Sequence, residues 1–223
     1  MAKIIDNSQL EVTKLKKSIK FIIKDKKNKT FYNSIKDVLN VSKKDNTFSI
    51  EGVDIIGLND KLKSGNLNYI NYKNLFLNLK KQLEFLINKG ICIYSIDIRD
   101  VYYIEISKNK DNYLSEHYFA ILKLNNYEKI EDNMITISKP LNFSEFDFIS
   151  PELKKQKKFP MSVNYKTSYY SLGKLIHFCV SNSKNVAIKN QKKMLESVKE
   201  TPIYWTILRC LEINPENRTL LYI

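Results

Sequence analysis

One segment constrains the fold more than any other. From about Tyr72 to Asn88 the apolar residues Leu75, Phe76, Leu79, Leu83, Leu86 and Ile87 keep a 3.6-residue period, and Gly90 stands just past the end. That spacing predicts a long amphipathic helix closed by a left-handed glycine. After Gly90 the pattern changes. Ile91–Ile93, Val101–Ile106 and His117–Leu124 read as strands separated by polar loops, with Met134–Ser138 as a further short one. Upstream, residues 9–24 hold two β-like runs, the second being Ile19–Lys24. A helix is expected over Phe31–Val41, with Ile35, Val38 and Leu39 on one face and Thr30 as its cap, and Phe48–Ile56 is extended up to Gly57. Beyond Pro140 the pattern predicts helices only. Thr167–Val180 is apolar nearly all round, as in a central buried helix, and shorter helices follow at about Ala187–Lys199 and Pro202–Glu212. Strands and helices are therefore segregated, which defines an α+β protein.

The 223 residues suffice for one compact domain or two small lobes sharing a core, and 43% hydrophobic content is too high for disorder. No run approaches the roughly 18 apolar residues that cross a bilayer. Met1–Asp6 lacks the apolar core of a secretion signal. Cys92, Cys179 and Cys210 are odd in number, widely spaced and set among apolar neighbours, so they read as buried small hydrophobes in a reducing compartment. The expectation is an intracellular protein, cytoplasmic or nuclear, with no membrane partner.

The net charge of +13 raises nucleic acid as a partner. However, only Arg99, Arg209 and Arg218 among the 37 basic residues are arginine, the side chain suited to bidentate readout of phosphate or guanine. The excess is scattered and accompanies many Asn, Ile, Tyr and Phe, the imprint of an AT-rich coding genome. The clusters Lys14-Lys16-Lys17, Lys24-Lys26-Lys27-Lys29 and Lys154-Lys155-Lys157-Lys158 read as solvated surface. Nucleic acid is thus open but not favoured.

Three segments, in order, carry a resemblance. Leu83–Ile91 is similar to the end of a long helix leading into a catalytic loop. Ile149-Ser150-Pro151-Glu152-Leu153 resembles an Ala-Pro-Glu motif and is followed by Tyr170-Ser171-Leu172-Gly173. Cys210-Leu211-Glu212-Ile213-Asn214-Pro215-Glu216-Asn217-Arg218 resembles a terminal Cys-Leu-x-x-Asp-Pro-x-x-Arg segment. Together they resemble the C-terminal lobe of eukaryotic-type protein kinases. The resemblance implies a two-lobe fold, with a minimal strand-rich N-lobe over 1–60 and a helical C-lobe over 61–223. It also implies a buried ion pair between Glu152 and Arg218.

The family's chemistry does not carry over. Phosphoryl transfer in kinases uses a Gly-rich loop, a lysine–glutamate pair, a catalytic aspartate, a metal-binding asparagine and the aspartate of Asp-Phe-Gly. Counted from Gly90, the His-Arg-Asp positions fall on Ile93, Tyr94 and Ser95, and a serine cannot accept the acceptor's proton as a carboxylate does. The asparagine position falls on Asp100, which could hold a metal but not supply the base. The Asp-Phe-Gly positions fall on Asn126, Tyr127 and Glu128, and the aspartate that braces the catalytic loop aligns with Ser168. Five glycines, none in a Gly-x-Gly-x-x-Gly, leave no phosphate loop. Lys20 or Lys24 would be the strand lysine that binds nucleotide, with Asp37, one methylene short, as its partner, but with lysine this common a surface residue is the simpler reading.

A displaced register through Ile98-Arg99-Asp100 would make Asp97 or Asp100 the catalytic carboxylate of an active kinase using ATP and magnesium. It puts Glu105, a strand residue, at the asparagine position, and Asp97 and Asp100 read more simply as a polar hairpin turn. His117 and His177 sit in apolar segments as core or edge residues, without metal-ligand company. The resemblance therefore implies an inactive, pseudokinase-like protein with no cofactor and no metal, which binds an active kinase, a kinase substrate or a signalling complex. Size and codon usage fit a relative carried by a large DNA virus or an AT-rich microbe. The alternatives are the divergent ATP-dependent kinase and a basic nucleic-acid-binding module.

Overall fold

The computed structural model describes residues 2–25, 27–42, 45–65, 67–107, 115–142, 146–155, 158–183, 190 and 193–223. It is α+β, with two antiparallel sheets, and its residues group into two compact units interleaved along the chain. One comprises 2–67, 77–86 and 98–124; the other comprises 68–76, 87–97 and 125–223. Residues 98–124 therefore group with the N-terminal strands, not with the helical segment that a boundary at 60 would assign them to.

The first unit is a six-stranded sheet. Strands β1 (Ala2–Asp6), β2 (Leu10–Lys14) and β3 (Ser18–Ile23) form a meander, and helix α1 (Lys29–Val38) leads to β4 (Thr47–Gly57). The first half of β4 pairs with β3. After a register shift between Gly52 and Asp54, its second half pairs with β6 (Val101–Ser107), which pairs in turn with β7 (Ser115–Ile121). Alternation in β3 buries Ile19, Phe21 and Ile23, and Phe21 stacks on Phe48 with ring centroids 4.7 Å apart. Helix α1 buries Phe31, Ile35 and Val38. It begins at Lys29 with Asn28 as N-cap residue, so Thr30 lies inside the helix rather than capping it. The sequence pattern missed β1 and the short α2 (Leu58–Lys63), both too short for periodicity to register.

The outer edge of β7 is closed by side chains of α3 (Tyr69–Ile87), the long helix anticipated above. Asn78 Oδ1 accepts from Phe119 N at 2.9 Å, and Gln82 Oε1 accepts from Ile121 N at 2.8 Å. Gln82 Nε2 donates to the Ile121 carbonyl at 2.9 Å and to Ser34 Oγ at 3.2 Å. Four helical residues advance about 6 Å and two strand residues about 6.6 Å, so amides at 78 and 82 match alternate backbone groups of the strand. Gln82 is fully buried. Gln82→Met keeps the volume but strands both polar groups of Ile121, each costing about 1–3 kcal/mol. A lowered urea midpoint, equivalent to roughly 2–3 kcal/mol, is expected; an unchanged midpoint would refute the edge-closing role.

In the second unit a four-stranded sheet runs in the order β10-β9-β8-β5: β5 (Ile91–Ile93), β8 (Tyr127–Glu131), β9 (Met134–Ile137) and β10 (Met161–Asn164). Strand β10 corrects the expectation of helices only beyond Pro140; four residues are too few to reveal a period. Cys92, Ile135, Ile137, Met161 and Val163 meet Ile149 and Leu153 in one apolar core. Helix α4 (Pro151–Lys155) starts at the Ser-Pro-Glu motif. Helix α5 (Thr167–Ser181) is buried on almost every side, as its composition predicts. Helix α6 (Pro202–Cys210) opens on Pro202 and is capped by Thr201, whose side chain accepts from Tyr204 N. Of the helix expected at 187–199, residues 187–189, 191 and 192 lie outside the described residues, and Lys193–Val198 form a 3₁₀ turn. Lys26 and Lys157 of the lysine clusters also lie outside them. No helix among the described residues is long and apolar enough to cross a membrane.

Candidate functional site

Two of the triplets singled out in the sequence, Ile93–Ser95 and Asn126–Glu128, come together in the second unit. Strand β5 pairs antiparallel with β8, bringing Ile93 opposite Tyr127 and Cys92 opposite Glu128, and Tyr94 N donates to the Asn126 carbonyl at 2.8 Å. Asn126 takes a left-handed conformation, φ +52°, a turn that asparagine tolerates better than most residues. The two motif triplets thus lie side by side.

The first triplet lies in a packed interior, whereas in the second Tyr127 is exposed and Asn126 and Glu128 are half-buried. Ile93, Tyr94, Ser95 and Ile96 are all buried, with Ser95 only 3% exposed. Ile96 N donates to Ser171 Oγ at 2.8 Å, which ties the segment to α5. Burial pushes the Tyr94 hydroxyl up to about 12, with the Glu128 charge adding to the effect. Burial likewise raises the Glu128 carboxyl above its usual range, which makes it a poorer anion for a cation to bind. Glu128 borders a depression of about 360 Å³ that Tyr127, Glu131, Met134 and Thr136 also line. Among the described residues, no group of three His, Cys, Asp or Glu side chains is arranged to hold a metal ion.

Below this ladder the start of α5 is knitted together by hydroxyls. Ser168 Oγ donates to the Tyr165 carbonyl at 3.0 Å, and Cys92 Sγ reaches the same oxygen at 3.3 Å. Ser150 Oγ and Thr167 Oγ1 share a buried hydrogen bond of 2.6 Å. The Ser150–Thr167 bond was not legible in the sequence, since serine and threonine carry no positional signal.

Glu152 and Arg218, paired in the sequence analysis, are joined. Arg218 is fully buried, and its Nη1 and Nη2 meet the two Glu152 oxygens at 2.6 and 2.8 Å. Nε donates to the Glu212 carbonyl at 2.8 Å, Nη2 also to Ile213 at 3.1 Å and Nη1 to Lys166 at 3.2 Å. The guanidinium carbon lies 5.0 Å from the Tyr170 ring centroid. All five N–H groups are used, which lysine in this place could not do.

The other candidates are dispersed. Asp97 is half-buried in the second unit; Asp100 belongs to the first, is 6% exposed, and ends a 3₁₀ turn (Ile98–Asp100) running straight into β6. The polar hairpin turn expected here is instead a 3₁₀ turn in which Ile98 and Asp100 are buried and Arg99 is exposed. Lys24 binds Asp6 at 2.5 Å and Glu11 at 3.2 Å, while Asp37 pairs with Lys81 at 3.5 Å, so Asp37 is not the partner of a strand lysine. Lys20 stands mid-strand in β3, opposite Thr13 and Ser49. Glu105 accepts from Tyr103 Oη at 3.2 Å, and that hydroxyl also lies 2.5 Å from His117 Nδ1, so His117 sits in a cross-strand polar group. His177 is buried, with Nδ1 3.2 Å from Ser181 Oγ.

Compared with known proteins, the chain matches no protein-family model, and no curated protein matches it in sequence.

Proposed function

We propose that this chain is a protein-kinase-like protein that has lost phosphoryl transfer and acts by binding a protein kinase or another signalling protein. One observation carries the reading. The Tyr94–Asn126 hydrogen bond and the β5–β8 ladder bring together the positions of the two kinase acidic motifs, and neither Ser95 nor Asn126 bears a carboxylate. The order of elements supports it: strands with one helix, a short and then a long helix, a short strand, two antiparallel strand pairs, a buried central helix and a terminal arginine. So does the Glu152–Arg218 pair, which braces a scaffold that would have no reason to persist if the strings were chance. Retaining the frame without the acids is the pattern expected where shape is what is used.

Two measurements test it. A ligand that binds only the folded chain raises its melting temperature by mass action, by the equivalent of about 2.7 kcal/mol at a hundredfold excess over Kd. Saturating ATP with Mg²⁺ is therefore expected to leave the melting temperature unchanged. A clear rise, with phosphate transfer lost in Asp100→Asn, would establish the active kinase instead. In the second, stoichiometric addition of the chain to a panel of active protein kinases is expected to change the turnover of at least one. No change in any would remove the partner half of the proposal.

A further inference from the structure

A cavity of about 260 Å³ lies in the first unit, between α1 and the strand ends that flank it. Lys29, Asn33 and Lys36 reach it from one face of α1, being four and then three residues apart, and Asp25 and Asn46 close the other side. Ile23 and the Tyr32 ring supply an apolar wall.

The balance of donors and acceptors is uneven. Lys36 is only 5% exposed, and its ammonium donates to the Asp45 carbonyl at 2.7 Å and lies 5.5 Å from the Phe48 ring centroid. An ammonium has three N–H groups, so this bond leaves donor capacity at the cavity wall. The side chains of Lys29, Asn33 and Asn46 make no hydrogen bond or ion pair to another described residue. Asp25, the one carboxylate of the lining, is already engaged: one oxygen accepts from Lys27 N at 2.8 Å and the other from Asn28 Nδ2 at 2.7 Å. Burial holds the Lys36 ammonium below the usual lysine range, and the Lys29 charge pushes the same way against Asp45. An anion between the two lysines would relieve both effects.

We infer that this cavity is a binding site for a small phosphomonoester, its phosphate held by Lys29, Lys36 and the Asn33 and Asn46 amides, with its organic body against Ile23 and Tyr32. A bare phosphate would leave the apolar wall uncovered, and a neutral ligand would make less use of the donors that Lys29 and Lys36 bring to it. The inference is independent of the kinase-like reading, since it uses none of the motif positions.

The test is a titration of the ¹⁵N-labelled full chain, at constant ionic strength, with glycerol 3-phosphate and separately with inorganic phosphate. Saturable amide shifts are expected at Lys29, Asn33, Lys36 and Asn46, with glycerol 3-phosphate binding the tighter of the two. The exposed Lys29→Met variant should bind roughly tenfold more weakly, the loss of about one charge-assisted contact. Asn33→Leu should weaken binding too, and Lys89→Met, which does not line the cavity, should change nothing. Lys36→Met is the sharper variant if it folds, but the proposal does not depend on it. Shifts spread over the lysine-rich surface, equal affinity for inorganic phosphate, or saturation untouched by Lys29→Met and Asn33→Leu would each overturn it.

Discussion

Glu152→Ala is expected to destabilise the chain by about 3–5 kcal/mol, because it removes the counter-charge of a fully buried guanidinium. The Arg218 side chain is 0% exposed and that of Glu152 19%, so little water is at hand to replace the lost carboxylate. Three of the five Arg218 hydrogen bonds go to the carbonyls of Lys166, Glu212 and Ile213 and survive the substitution, which holds the charge in place instead of letting it escape to solvent. The measurement is the denaturant midpoint of Glu152→Ala, Arg218→Met and the double variant. The double variant should cost less than the sum of the singles, because once the guanidinium is gone nothing charged is left stranded. Additive single effects, or a Glu152→Ala cost below about 1 kcal/mol of the kind seen for solvent-exposed pairs, would mean the pair is not a bracing element.

Gly173→Val is expected to cost about 3 kcal/mol or more, at the upper end of overpacking effects. A Cβ built on Gly173 would stand 2.5 Å from Cys210 Cβ and 3.3 Å from Leu211 Cδ2, so α5 and α6 meet here at backbone range. Two effects compete even in Gly173→Ala. Alanine favours a helix interior by about 1 kcal/mol over glycine. The clash opposes this, and it falls on a Cβ that no rotamer change can move, so the helices themselves must separate. The clash wins, and Gly173→Ala is expected to destabilise rather than stabilise. Cys210→Ala retains the offending Cβ and should not rescue it, whereas Cys210→Gly should recover part of the loss. A stabilised Gly173→Ala protein would sink the close-approach account.

Gly173 and Arg218 were legible in the sequence for different reasons. Arg218 stood out because arginine is scarce in this chain and because it falls at the end of a recognisable string. Gly173 was visible only as part of a motif; its role depends on α6, which is distant in sequence. The long helix and the buried α5 were legible because a 3.6-residue period, or its absence in an all-apolar run, is carried by many residues at once. Strands β8 and β10 were not, since five and four residues give alternation too little length to register. Nor was the amide closure of β7 legible: Asn78 and Gln82 look like the polar face of any helix until the strand beside them is known. The Lys29–Asn33–Lys36 cavity was hidden in the same way. Lys29 was read as part of a surface cluster and Lys36 carried no signal in the sequence; only its burial sets it apart.

The three thiols are all buried, and their surroundings raise every one: Cys92 and Cys210 to about 12, Cys179 in the same direction, with burial the main cause in each. A thiol held protonated and shielded is a poor nucleophile towards alkylating or oxidising reagents. Each becomes reactive only when the strand or helix around it swings open, so the chain carries three silent chronometers. The modification rate at Cys92 times the parting of β5, and the rates at Cys179 and Cys210 time the loosening of the helices that hold them.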